Sequence, residues 1–179
     1  MNKLIDIILN DRIFHFLLGC LALVWGLSGL LEDVFGKEKK PKARINPRVS
    51  KIEFCRQVVK WCVSNMGVPK DRVVPGLSLS YVRKAGKVLG TYSFSQRHIH
   101  IFVQHPEHRD LLQLIDTIIH EYQHHLEITD GKKSKLYDQK TEELGYQNNP
   151  FEVSARKIAE DLRKAAYRYL LDKGLIHED

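Results

Sequence analysis

Cysteine is scarce in this chain. Cys20, Cys55 and Cys62 are odd in number and too few for a disulfide scaffold, so a reducing compartment is expected. No internal repeat is found either, which excludes an architecture of tandem units. A charge bias spread over the chain is also missing. The formal net charge is +6, but seven of the 28 basic groups (Lys37, Lys39, Lys40, Lys42, Arg44, Arg48, Lys51) and one of the 22 acidic ones (Glu38) fall within residues 37–51, leaving the remainder balanced. The excess therefore does not describe a basic domain of the kind that binds nucleic acid. Apolar residues are plentiful. At 43% of 179 residues they exclude disorder over most of the length and suffice for one domain plus an appendage.

Residues 13–31 hold no charge across 19 positions, which include His15, Ser28, Gly19, Gly26 and Gly29. As a helix this run would measure about 28 Å, close to the hydrocarbon thickness of a bilayer. Its glycines are ordinary in a membrane helix and a burden in a soluble one. Three readings compete: a single span, a helix buried in a soluble core, and a cleaved signal peptide. A signal peptide asks for a basic start and a small-residue cleavage site, whereas Lys3 and Arg12 are balanced by Asp6 and Asp11 and no A-x-A pattern follows. The flank favours the span. The basic run starts at Lys37, so the positive-inside rule puts the rest of the chain in the cytoplasm. The expected organisation is an N-terminal segment, 1–36, with its span at 13–31; a basic linker, 37–51, marked by Pro41 and Pro47 and able to touch anionic headgroups; and a folded domain, 52–179.

Within the domain, Ser50-Lys51-Ile52-Glu53 reads as a capping box that opens a helix, with apolar Ile52, Cys55, Val59, Cys62 and Met66 at helical spacing up to Gly67. Cys55 and Cys62 read as buried thiols rather than metal ligands, since no further cysteine joins them. Residues 77–82, 87–94 and 98–103 alternate with period two and suggest a small antiparallel meander. In the last strand His98, His100 and Phe102 share one face and Ile99, Ile101 and Val103 the other. A helix is predicted over 109–128, a loop over 129–148, and a long helix from Asn149-Pro150 to about Lys173. The expected class is α+β: a small meander packed with an N-terminal, a central and a long C-terminal helix.

The central helix contains His120-Glu121-Tyr122-Gln123-His124, an H-E-x-x-H match. Histidines at i and i+4 project from one helix face and can grip a single zinc ion, while the glutamate at i+1 leans toward the ion's water. At 100° per residue, Asp116, Thr117, Glu121, His124 and Glu127 share the front of the helix with His120. Leu111, Leu112, Leu114, Ile115, Ile118, Ile119, Tyr122 and Leu126 form its back. His125 falls on the apolar side and reads as structural, as do His15, His105, His108 and His177.

Zinc needs a third protein ligand, and there are two choices. Asp130 follows His120 by ten residues, the place of the last ligand in H-E-x-x-H-x-x-G-x-x-H/D patterns, but Glu127 stands where that pattern requires glycine. Glu152 lies in the first turn of the C-terminal helix, where it could instead close a capping box with Asn149. A carboxylate delivered by a second helix favours Glu152 as the ligand.

Thr117-Ile118-Ile119-His120-Glu121-Tyr122-Gln123-His124, followed by Glu152 within Asn149-Pro150-Phe151-Glu152-Val153-Ser154-Ala155-Arg156, resembles the gluzincin zinc metallopeptidases, in particular their minimal single-domain members, the minigluzincins, and SprT-like domains. The likeness covers roughly residues 77–170. It implies His120, His124 and Glu152 as zinc ligands, Glu121 as general base, and the strand around 98–103 as the platform for extended substrate. One departure stands out: the acidic residue that orients a histidine in several gluzincins is here Arg156, which leaves Asp116 or Glu127 to do so.

The expected function is a membrane-anchored zinc endopeptidase, in which Glu121 moves protons and a further group, Tyr146 ahead of Tyr137, His98 and His100, stabilises the oxyanion. The expected partners are a peptide substrate and, through 13–31, the membrane. The alternatives are a non-catalytic metal- or peptide-binding module and a SprT-like protease associated with nucleic acid.

Overall fold

Residues 43–81 and 88–178 are described by a computed structural model, and all belong to the second of the two units of the chain, Lys42–Asp179. The expected span at 13–31 lies outside the described residues. Among those described, no helix is long and apolar enough to cross a membrane.

The domain is α+β. Its elements run β1 (Ala43–Ile45), α1 (Lys51–Met66), β2 (Gly76–Ser80), β3 (Gly90–Ser93), β4 (His98–Phe102), α2 (Leu111–Glu127), α3 (Gly131–Leu144), α4 (Pro150–Asp172) and β5 (Ile176–Glu178), with single 3-10 turns at Pro106–Arg109 and Tyr146–Asn148. Side-chain caps set the helix starts. Ser50 accepts from the Glu53 amide at 3.3 Å, Asp110 from Leu112 at 2.9 Å, and Asn149 from Phe151 at 3.0 Å, each occupying an amide that has no partner inside its own helix. Gly67 ends α1 with φ of 86°, a left-handed value that costs glycine little.

The meander is corrected to a mixed sheet ordered β2-β4-β3. β2 runs parallel to β4, with Ser78 beside His100, and β3 runs antiparallel to it, with Tyr92 beside Ile99. Alternation reveals the two faces of a strand but not its neighbours. A second sheet pairs β1 with β5 antiparallel, so Ala43–Ile45, expected in the linker, is part of the folded domain. The expected loop at 129–148 is corrected too, since most of it is α3, capped by Asp130.

The core forms around α2. Leu114, Ile115, Ile118, Ile119 and Tyr122 are all fully buried, each stabilising the fold by roughly 1.5–3 kcal/mol. They pack with Ile99 and Ile101 of β4, with Phe54, Cys55, Val58 and Cys62 of α1, and with Ala159, Ala166 and Leu170 of α4. Small Ala155 and Ala159, both fully buried, let α4 approach closely, and Glu152 sits one turn ahead of Ala155. The Tyr122 hydroxyl, its pKa pushed up to about 12 by burial, stays protonated and donates to the Gly67 carbonyl at 2.7 Å, tying α2 to the end of α1. The Cys55 and Cys62 thiols are buried, and burial raises both pKa values, that of Cys55 to about 12, so they pack as inert apolar groups.

Candidate metal centre

Three side chains from two helices meet at one point. His120 and His124 project from adjacent turns of α2, and α4 brings Glu152 across them. The two Nε2 atoms are 3.1 Å apart; Glu152 Oε1 lies 3.1 Å from His124 Nε2, and Oε2 lies 3.2 Å from His120 Nε2. A tetrahedral ion with bonds of about 2.0–2.1 Å sets its ligand atoms roughly 3.3 Å from one another, and each imidazole has one Glu152 oxygen close to that spacing, Oε2 for His120 and Oε1 for His124. The unmet valences agree. Glu152 Oε2 is a buried carboxylate oxygen with no hydrogen-bond donor, and the imidazole nitrogens turned toward it are the atoms a cation would use. Both sides of the trio therefore fit a divalent metal ion.

Glu152 is 1% exposed, yet its carboxyl is held well below the usual carboxylate range. Burial opposes ionisation, but the imidazoles of His120 and His124 beside it, together with the hydrogen bond from Tyr137, outweigh it. Burial also works against a charged His120, but Glu152, Glu121 and Asp116 together raise its pKa. Asn149 accepts from Phe151 while its own amide donates to the Tyr146 carbonyl at 3.3 Å. The helix is thus capped without Glu152, whose carboxylate is turned to the histidines. Asp130 is elsewhere, accepting from Lys132 and Lys133 at the start of α3, both at 2.9 Å.

Glu121 lies beside the trio on the same helix front and is 7% exposed. Burial raises its pKa, against the pull of His120 and His124, and a hydrogen bond from the Tyr92 backbone also favours its charged form. That bond links Glu121 to β3, the strand at the edge of the sheet. A cavity of about 670 Å³ opens in front, lined by the trio, Glu121, β3 and the α3 side chains Ser134, Tyr137 and Asp138. Tyr146 lines it as well and is 50% exposed. Its pKa is raised first by burial and then by a hydrogen bond to the Glu152 carboxylate, so its hydroxyl stays protonated. Tyr137 spends its hydroxyl on Glu152 Oε1 at 2.6 Å.

His98 and His100 are not at the site. Their rings sit on Ser78 Oγ at 2.8 and 2.7 Å, on the face of β4 opposite the buried Ile99 and Ile101. β4 is also the middle strand, bonded along both edges, and offers no free edge as a substrate platform. β3 has one. His125 is structural as expected, joining the Val73 carbonyl at 2.9 Å to the Tyr92 hydroxyl at 3.1 Å. Neither expected partner of the histidines is hydrogen-bonded to them. Asp116 pairs with Arg163 at 3.3 Å, Glu127 accepts from Ser154 and Gln123 at 2.6 and 2.8 Å, and His124 Nδ1 is buried with no partner.

Gly90 escaped the sequence reading, although a glycine inside a strand often marks a close approach of backbone. A Cβ there would meet Thr117 Cγ2 at 2.9 Å and both Glu121 Cγ and Ile101 Cδ1 at 3.1 Å. Gly90 thus lets β3 lie against the face of α2 that carries Thr117 and Glu121. Gly90→Ala is expected to destabilise the fold by about 1–3 kcal/mol through overpacking, with the metal trio intact. Denaturant unfolding beside a metal titration measures both; an unchanged midpoint would show that the strand has room to move.

No family model, curated protein or solved structure matches the chain.

Proposed function

We propose that the domain is a zinc-dependent peptidase that hydrolyses peptide bonds in extended substrates. The observation that carries this reading is the convergence of His120, His124 and Glu152 at metal-ligand spacing with Glu121 buried beside them at the head of a cavity. A zinc ion bound by the trio would polarise the scissile carbonyl and acidify a water molecule. Glu121, steered by the Tyr92 amide, accepts the proton of the attacking water at its carboxylate and returns it to the leaving nitrogen. Tyr146 and Tyr137 both line the cavity beside Glu152 as protonated phenols, and Tyr146, the half-exposed one, is the favoured oxyanion donor. Substrate adds to the free edge of β3, which borders the same cavity, by main-chain hydrogen bonds that leave the Tyr92 amide to Glu121. The uncharged run at 13–31 and its basic flank support a membrane anchor with this domain on the cytoplasmic side.

The test is metal removal. The purified chain is expected to carry close to one zinc and to cleave members of a random peptide library, to lose cleavage on chelation, and to regain it with stoichiometric zinc. Stoichiometric zinc without cleavage of any library member would support the metal-binding module instead.

A further inference from the structure

The cavity has a marked charge asymmetry. Asp116, Glu121, Asp138 and Glu152 line it, and among the described lining residues Arg156 is the one lysine or arginine. Asp116 is already engaged by Arg163, and Glu152 by the histidines and Tyr137. Arg156 stands one turn beyond Glu152 on the same face of α4, with its side chain 40% exposed. Its Nη2 donates to the Gln147 carbonyl, while Nη1 lies 3.9 Å from Glu152 Oε2, beyond hydrogen-bond reach. A guanidinium offers five N–H donors in a planar fork, so donors remain for a further acceptor.

We infer that Arg156 makes the site selective for substrates carrying a carboxylate next to the cleaved bond, whether an acidic side chain or a free C-terminus; this rests on the peptidase reading above. A cation beside a metal-ligating carboxylate draws on the same negative charge as the metal and would by itself weaken metal binding. With a divalent ion beside two carboxylates, Glu152 and Glu121, and Arg156 alongside, that end of the cavity is left with a single positive charge. A substrate carboxylate neutralises it, and the fork grips such a group through two parallel hydrogen bonds. The Gln147 carbonyl holds the fork in place. Because Arg156 is partly solvated, the preference amounts to about tenfold in affinity rather than the larger factor of a fully buried pair.

The experiment uses the zinc-loaded full chain with Glu121→Gln, which binds without turnover, and three labelled hexapeptide pools read by fluorescence anisotropy. One pool contains neutral residues with an amidated C-terminus, the second adds one aspartate, and the third is neutral with a free C-terminus. At least one acidic pool should bind about tenfold tighter than the neutral pool, and whichever does so identifies the source of the carboxylate. Adding Arg156→Gln should abolish that advantage, while Arg156→Lys, which keeps the charge but loses the fork, should retain part of it. Equal binding of all three pools, or an advantage that survives Arg156→Gln in a folded protein, would overturn the inference while leaving the peptidase reading intact. A zinc-loaded wild-type chain that cleaves neither these pools nor a general library would overturn both.

Discussion

Glu152→Gln is expected to cost the protein its metal while leaving its fold in place. The carboxylate is one of three converging ligands, and losing one ligand's share of a zinc site's binding free energy weakens binding by about 100-fold or more. The amide is nearly isosteric and keeps an oxygen to accept the Tyr137 hydroxyl, now bonded to Oε1 at 2.6 Å. Glu152→Ala would instead leave that buried hydroxyl and the space around it unfilled, mixing loss of ligation with loss of packing. Asp130→Ala is the matched control. It removes the cap on the Lys132 and Lys133 amides, costs about 1 kcal/mol of stability, and should leave metal affinity unchanged. Competition against a chromophoric chelator, run beside thermal unfolding, separates the two effects. Zinc bound as tightly by Glu152→Gln as by wild type would remove Glu152 from the ligand set.

Much of this site was legible because its parts lie on long periodic helices. The 3.6-residue period alone separates the front of α2 from its back. The eight apolar residues assigned to the back include Leu114, Ile115, Ile118, Ile119 and Tyr122, which are all fully buried. Asn149-Pro150 likewise announces the start of α4 through a cap and a fixed φ. What escaped had no periodic signal. α3 has no buried residue along its length, so no apolar stripe betrays it. Its traces were its ends, Asp130 as cap and Gly145 with φ of 75°. β1 and β5 are three residues each and pair across almost the whole domain, with nothing local to join them. The faces of β4 were read correctly, but which face turns toward α2 depends on packing. Ile99 and Ile101 go into the core and carry His98 and His100 to the far side, away from the chemistry.

Glu121→Gln is expected to keep zinc and lose catalysis, which would distinguish an enzyme from a metal-binding module in a single preparation. Glu121 is not among the three converging ligands, so its loss leaves the metal's own contacts in place. Removing the positioned base should lower kcat by about 10²–10⁴-fold, the usual contribution of a general acid–base group. Stability should hold or rise, because a buried carboxylate whose pKa burial has already raised is replaced by an uncharged amide of the same shape. The Tyr92 amide that supports the carboxylate can donate to the new amide oxygen, so β3 keeps its attachment to α2. The comparison needs zinc content, unfolding midpoint and peptide turnover measured on the same sample. Full turnover with bound zinc would move the proton-transfer role to another group in the cavity, and Tyr146 would be the first to replace, since it lines the same space. Lost turnover accompanied by lost zinc would mean that Glu121 helps to hold the metal, and the division of labour between the trio and its neighbour would have to be redrawn.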